Sequence, residues 1–310
     1  LSKVEGKVCV VTGAGSGIGR ALAVELGRRG AKGIAISDVD EGSAKETAEL
    51  IGSSSRVEIH AAGLDVGDRD AFADYATTVA GHFGAVHQIY NNAGIADSEP
   101  VDQFGYDRYE RVLKVNLWGV IHGTKEFLPH LIASGDGHVV NVSSLNGIMA
   151  QAGLSAYCAS KFGVRGFTES VALDLKEEGH PVRATVVHPG GVKTGIASSA
   201  LDWAKQSGRE VTAEQEETWQ QSIASELEAK VAEVSARFPG VPVEVVTHRD
   251  PPRAAEIIVD GVEANKPRIL VGGDAKLMDA VIRIAPRRWP VFFSLLQRRF
   301  EKEFESKRRG

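Results

Sequence analysis

The sequence predicts an α/β protein built on a doubly wound parallel sheet with helices on both faces, and three observations point there. Over the first 190 residues, short apolar runs alternate with longer amphipathic ones, the pattern of successive βαβ units. The short runs are apolar throughout, as strands covered on both faces are. The first of them runs directly into a glycine-rich loop that opens a helix, in a chain with 34 glycines among its 310 residues, against a usual share of about 7%.

Element by element, Val8–Val11 is predicted as a strand and Gly17–Gly30 as a helix. Gly33–Ser37 is a second strand, followed by a helix from about Glu41 to Gly52. Val57–Ala61 and Val86–Tyr90 are the third and fourth strands, with helix Arg69–His82 between them. A single long helix is expected over Asp107–Phe127, joined through Pro129 to strand His138–Val142. Tyr157–Glu178 is another long helix, and Val182–Val187 a sixth strand. After Thr194 the pattern changes. Residues 196–250 are polar and helical with no clear strand, and hold 10 acidic against 5 basic side chains. They read as a helical insertion, either a solvated excursion or a lid over a ligand site. Pro251–Asn265 is a helix with proline near its start, where the missing N–H is harmless. Arg268–Val271 is a short strand, and a helical extension follows over 275–310. One dinucleotide-binding domain spanning 1–310, carrying this insertion and tail, accounts for the pattern better than two domains.

Composition excludes several classes. The chain is 43% hydrophobic and 25% charged, within the ordinary globular range. A net charge of −5 argues against general nucleic-acid binding. Cys9 and Cys158 cannot form a disulfide framework and read as reduced thiols, which suits a cytoplasmic protein. Lys3, Glu5 and Lys7 precede a strand that begins at once, so no secretory leader is expected. No apolar run reaches the roughly 18 residues of a membrane span. From Ala280 to Gly310 there are nine basic and three acidic residues, interleaved with Trp289, Phe292, Phe293, Leu295, Leu296 and Phe300. That stretch packs on its own subunit or a partner, or touches a membrane surface through 286–300. The nine histidines have no ligand spacing, so no metal is expected.

The loop Thr12-Gly13-Ala14-Gly15-Ser16-Gly17-Ile18-Gly19 has the residues a phosphate cradle needs. Gly13 permits the tight turn, Gly17 lets backbone approach a pyrophosphate, and Gly19 lets the helix pack on the strand. The helix N-terminus offers free N–H groups and its positive dipole end. The strict G-x-G-x-x-G spacing fails, since position 18 is Ile. Asp38 ends the second strand 19 residues after Gly19. A carboxylate there either caps the next helix or accepts the adenosine ribose hydroxyls and repels a 2′-phosphate, which with no flanking cation favours NAD over NADP.

The run Thr12-Gly13-x-x-x-Gly17-x-Gly19 resembles the short-chain dehydrogenase/reductase family, and further motifs follow in order. They are Asp65-Val66, Asn91-Asn92-Ala93-Gly94, Asn116, Ser143-Ser144, Tyr157-x-x-x-Lys161 and Pro189-Gly190-Gly191-Val192-Lys193-Thr194. The resemblance covers about residues 5–195, and 251–272 plausibly. It implies a Rossmann-type fold and hydride transfer between a nicotinamide and an alcohol or ketone. The catalytic set it implies is Asn116, Ser144, Tyr157 and Lys161. The implied cofactor contacts are Gly13, Ser16, Gly17, Ile18, Gly19, Asp38, Asp65, Val66, Asn92, Ala93, Gly94, Tyr157, Lys161, Pro189, Gly190, Val192 and Thr194. It also implies a homodimer or homotetramer formed through the two long helices.

The residues suit that chemistry. Tyr157 and Lys161 share one helix face, and a cation beside a phenol is expected to lower its pKa. Ser144 would hold the substrate oxygen, with Ser143 pointing to the other side. The resemblance implies that Asn116 places a water near Lys161, the alternative being an amide that satisfies helix backbone. Ile95, Leu145, Ile148, Met149, Leu154 and Ile196 are mostly apolar candidates for the substrate side, which suggests a hydrophobic alcohol or ketone. An NADP-dependent carbonyl reductase and a non-catalytic cofactor-sensing scaffold remain the alternatives.

Overall fold

The computed structural model describes residues 2–53, 57–192, 194, 196, 250–284 and 286–287. The 197–249 part of the insertion and the tail from 288 lie outside them, and so do the lid and membrane-contact expectations. Among the described residues, seven parallel strands form one sheet. They are β1 Val8–Thr12, β2 Gly33–Asp38, β3 Glu58–Gly63, β4 Gln88–Asn91, β5 Gly137–Val142, β6 Val182–Pro189 and β7 Arg268–Val271. Their order is β3-β2-β1-β4-β5-β6-β7, so the winding reverses between β1 and β4. In such sheets the crevice at the carboxyl ends of the strands, at that switch point, is where ligands bind. The described helices are α1 Gly17–Arg28, α2 Glu41–Gly52, α3 Arg69–Phe83, α4 Tyr106–Leu113, α5 Gly119–Ala133, α6 Ser155–Glu177, α7 Pro251–Glu263 and α8 Gly273–Ile284.

The period-2 geometry of a strand divides β1 between two cores. Cys9 and Val11 pack with Leu22 and Leu26 of α1 and Ile258 and Val262 of α7. Val8 and Val10 pack with Phe72 and Val79 of α3 and Phe127 and Leu131 of α5. Burial on both faces explains why β1 is apolar at four consecutive positions. The edge strands are the exceptions: β7 is partly buried and β3 is only half-buried. Its pairing with β2 runs from Glu58 to Gly63, beyond the Val57–Ala61 expected.

The helix expected over Asp107–Phe127 is corrected. α4 gives way at Lys114–Trp118 to a π turn, which holds Asn116, and α5 then continues to Ala133. Pro129 lies inside α5 rather than ending it. It is tolerated because Pro129 and Lys125, whose carbonyl loses its usual partner, both face solvent.

The segment between β4 and α4 is fixed by a buried ion cluster. Arg108 of α4 donates from Nε to Asp97 at 2.7 Å, pairs with Glu99, and lies over the Phe104 ring at 4.3 Å. Glu99 N–H also donates to Gly153 C=O at 2.9 Å, which ties this segment to the one preceding α6. Buried pairs of this kind fix geometry more than they add net stability.

Candidate active site

The loop from β1 to α1 is held from both neighbouring strands. Gly13 and Gly17 have φ of +64° and +53°, where glycine is favoured. A Cβ on Gly13 would lie 2.7 Å from the Ala93 backbone, and one on Gly19 would lie 2.0 Å from the Gly13 carbonyl oxygen. The Asn92 amide donates to the Thr12 and Gly13 carbonyls, at 3.0 and 3.2 Å. Thr12 Oγ1 accepts the N–H groups of Asn92 and Ala93. On the other side, Ala14 N–H donates to Ser37 C=O.

Side-chain caps occur at α2 and α3 and not at α1, α4, α6 or α7. Asp40 caps α2 and Asp68 caps α3, each accepting two backbone N–H groups. At α1 the N-cap is Ser16, whose side chain accepts no cap hydrogen bond, and the first turn has no acidic residue. Ile18 and Gly19 lie in that turn. An uncapped N-terminus behind a glycine loop fits an anionic group such as a pyrophosphate. The helix-capping alternative for Asp38 is also removed, because Asp40 fills that role. Asp38 instead accepts Gly15 N–H at 2.8 Å and Asp40 N–H at 3.1 Å, with lone pairs left on both oxygens. The cations carried by α1 and α2 are all paired with carboxylates: Arg20 with Glu46, Arg28 with Glu25, and Lys45 with Glu41.

Asp65 pairs with Lys114 at 3.0 Å and accepts Gly67 N–H at 2.9 Å. Val66 is buried, with its carbonyl 3.1 Å from His122 Nδ1.

Beyond β4 and β5 the expected catalytic side chains converge. The π turn presents the Asn116 amide to the backbone of Ile95, with N–H and C=O both bonded at 2.8 Å. Asn116 also donates to Ser160 Oγ at 3.1 Å. Gly94 lies between Asn116 and Lys161, since a Cβ there would be 3.3 Å from Asn116 Oδ1 and 3.3 Å from Lys161 Nζ. Lys161 is 2% exposed. Its Nζ donates to Val142 C=O at 3.0 Å and lies 5.7 Å from the Tyr157 ring centroid. Burial lowers its pKa to about 8. The Ser144 hydroxyl faces the buried Tyr157 phenol closely enough to favour its charged form. Ser143 points the other way, donating to the Lys161 carbonyl at 2.8 Å.

The expected lowering of the Tyr157 pKa is corrected. In the protein alone, burial raises it, and the Ser144 hydroxyl only partly opposes that. Cys158 is buried and its thiol pKa is raised, mainly by burial, so it is a poor thiolate.

The segment after β6 closes the site. Gly190 N–H donates to Val271 C=O at 2.9 Å, continuing the pairing of Pro189 with Val271. Gly191 N–H donates to Asp274 at 2.6 Å. A Cβ on Gly190 would lie 2.1 Å from that carboxylate, which explains the glycine. Val192 packs against the core shared with α1. The Thr194 side chain lies 3.2 Å from where a Gly17 Cβ would be, so this segment meets the glycine loop. Sequence reading missed Asp274, whose signal is the Gly272-Gly273-Asp274 run directly after β7. Of the substrate-side candidates, Ile148 and Met149 are buried, whereas Ile95, Leu145, Leu154 and Ile196 are half-buried. A cavity of about 320 Å³ lined by His138, Lys176, His180 and Arg183 lies at the opposite ends of β5 and β6. Among the described residues, no three His, Cys, Asp or Glu side chains group as a metal site, and no helix is long and apolar enough to cross a membrane.

A doubly wound sheet with an uncapped helix at its switch point and a Ser-Tyr-Lys cluster beside it defines a class, and the comparisons give it a name. The chain belongs to the short-chain dehydrogenase family, whose model, described as short chain dehydrogenase, matches residues 7–205. It is 44% identical over 284 residues, 92% of each chain, to the Mycobacterium tuberculosis protein named "Putative oxidoreductase SadH". It is 34% identical over 218 residues to retinol dehydrogenase 10 of Xenopus tropicalis, covering 62% of this chain and 64% of that one. Among solved structures, a short chain dehydrogenase/reductase from Burkholderia phymatum in complex with NAD superposes with a TM-score of 0.76 at 26% identity, over 93% of this chain and 96% of that one. The chain is thus an oxidoreductase of the short-chain type.

Proposed function

We propose that this protein transfers a hydride between NAD and a hydrophobic secondary alcohol or ketone. The observation that carries the proposal is the convergence of Ser144, Tyr157 and Lys161 in a buried cluster beyond the ends of β4 and β5. NAD, when bound, would supply the hydride acceptor and a positive charge. The chain's residues handle the proton. Ser144 holds the substrate oxygen, where negative charge grows as the carbinol C–H bond breaks with its electron pair. Tyr157, as phenolate, takes the hydroxyl proton as the C=O bond forms, and as phenol returns it in reduction. Lys161 spends one N–H on Val142 and has two left for ribose hydroxyls or water. Asn116 Oδ1 keeps a lone pair beyond its bond to Ile95, free to hold a water next to Lys161.

The remaining cofactor contacts proposed are Gly13, Ser16, Gly17, Ile18 and Gly19 toward the pyrophosphate. Asp65 and Val66 would hold the adenine, and Asn92, Ala93 and Gly94 the adenosine side. Pro189, Gly190, Val192 and Thr194 would hold the carboxamide or the phosphates. Asp38 sets the preference for NAD, supported by the pairing of every cation on α1 and α2. Replacing Asp38 with Ala is expected to lower the NAD/NADP ratio of kcat/KM by about 10- to 100-fold, the effect of losing a charged hydrogen bond. An unchanged ratio removes Asp38 from cofactor selection.

The apolar substrate rests on the Ile95, Leu145 and Leu154 side chains and is supported by a relative named for retinol. Turnover with NAD should rise across a panel of secondary alcohols graded in apolar size. Faster turnover of a sugar alcohol overturns that reading, and silence with NAD still bound favours a cofactor-sensing role. A homo-oligomer through the 107–127 segment and α6 is supported by Trp118 of the π turn and by Phe162 and Leu173 of α6, which expose 54%, 41% and 61% of their surface. A monomer in sedimentation at micromolar concentration contradicts it.

A further inference from the structure

We infer that His188 is a positioning residue that sets the aim of the Ser144 hydroxyl. The inference rests on the reading of Ser144 as the group that holds the substrate oxygen.

The regular β5–β6 pairing ends at Val142 and Val187, and Ser143 N–H adds one further bond, to Val187 C=O at 2.8 Å. Ser144 lies past this last rung, in extended backbone with φ −165° and ψ 169°. Its carbonyl accepts Gly147 N–H and lies 2.9 Å from Nδ1 of His188. The imidazole thus continues the pairing by a side chain where the strands no longer provide it. Fixing that carbonyl fixes the peptide plane after Ser144, and with it the Cα–Cβ direction that carries the hydroxyl to Tyr157.

The chemistry of the ring follows from its partner. A carbonyl oxygen only accepts, so Nδ1 must carry the hydrogen and Nε2 of the neutral ring must be bare. His188 is 0% exposed, and Nε2 has no partner. A buried acceptor without a partner is unfavourable, and an apolar side chain would fill the space without it. The Nδ1 bond to Ser144 is what a histidine adds here. Burial also keeps the ring neutral, with a pKa of about 4. His188 therefore acts as a fixed donor and takes no part in moving the substrate proton.

Asparagine can place an N–H where Nδ1 stands, and leucine cannot. His188→Leu should lower kcat by about 10- to 100-fold, the penalty for a small misplacement of a reacting group. NADH affinity, read by fluorescence titration, should stay within about threefold, and His188→Asn should retain most of kcat. The deciding measurement is a cycle with Ser144→Ala. If His188 acts through Ser144, His188→Leu lowers kcat little further once Ser144 is alanine. An equal loss in both backgrounds overturns the inference, as does full turnover in His188→Leu. Full turnover in Ser144→Ala alone removes the role of Ser144 itself, and the inference with it. Should His188→Leu fail to fold, His188→Gln, which places its amide nearer Nε2, takes its place in the same cycle.

Discussion

Replacing Tyr157 with Phe should leave NADH binding within about threefold and lower turnover by about 10²- to 10⁴-fold, the contribution of a positioned acid–base group. The phenyl ring keeps the packing of a buried side chain on α6, so the variant removes the transferable proton and little else. Because burial holds the Tyr157 pKa above its ordinary value in the protein alone, phenolate is scarce near neutrality. Alcohol oxidation should therefore speed up as pH rises through the alkaline range, whereas ketone reduction, which needs the phenol, should not. Steady-state rates in both directions check this. Near-normal turnover of Tyr157→Phe removes the residue from the mechanism.

Replacing Lys161 with Met should abolish most turnover while leaving the protein at least as stable at pH 7. Burial moves the Lys161 pKa from 10.5 to about 8. Each pKa unit is about 1.4 kcal/mol, so holding the cation in the fold costs about 3 kcal/mol at pH 7. Methionine is close in length and uncharged. It forfeits the charged hydrogen bond to Val142 C=O, worth about 1.5–3 kcal/mol, and leaves a net gain of at most about 1.5 kcal/mol. The pH dependence has a definite sign. Between about pH 8 and 10.5 the unfolded chain binds more protons at this lysine than the folded chain does, so wild-type stability rises with pH there. The advantage of Lys161→Met should accordingly be full below pH 8 and shrink toward pH 10. Denaturant unfolding at several pH values measures it. A variant less stable than wild type at pH 7, with a pH-independent difference, contradicts the account. Such a residue is retained at the expense of stability because the site needs a cation.

What sequence reading recovered, it recovered where residue type and spacing are dictated by contact. Gly13 and Gly19 must be glycine because Ala93 and the Gly13 carbonyl leave no room for a Cβ, and that restriction is visible as a motif. The buried strands were legible because both faces of β1 and β4 are covered. The π turn at Lys114–Trp118 was not. Hydrophobic periodicity over 107–127 cannot register one extra residue in a hydrogen-bonded turn, and that turn holds the Asn116 that bonds Ile95. Pro129 misled because proline ends a helix unless its face is solvated, and exposure is a tertiary property. The Tyr157 pKa was misjudged for the same reason: spacing places Lys161 beside the phenol but says nothing of how deeply both are buried. His188 and Asp274 act through bonds to Ser144 and Gly191, 44 and 83 residues away in the chain, and no local pattern announces such pairs.

The central claim is hydride transfer from a carbinol carbon with the proton handled by Tyr157. The most direct test uses a secondary alcohol deuterated at the carbinol carbon, incubated with the protein and NAD, with the reduced nicotinamide analysed by mass spectrometry. Deuterium should appear in the reduced cofactor with wild type, and its appearance should slow by at least about 10²-fold with Tyr157→Phe. Ketone formation without deuterium in the cofactor, or labelling that proceeds equally fast without the Tyr157 hydroxyl, contradicts the account.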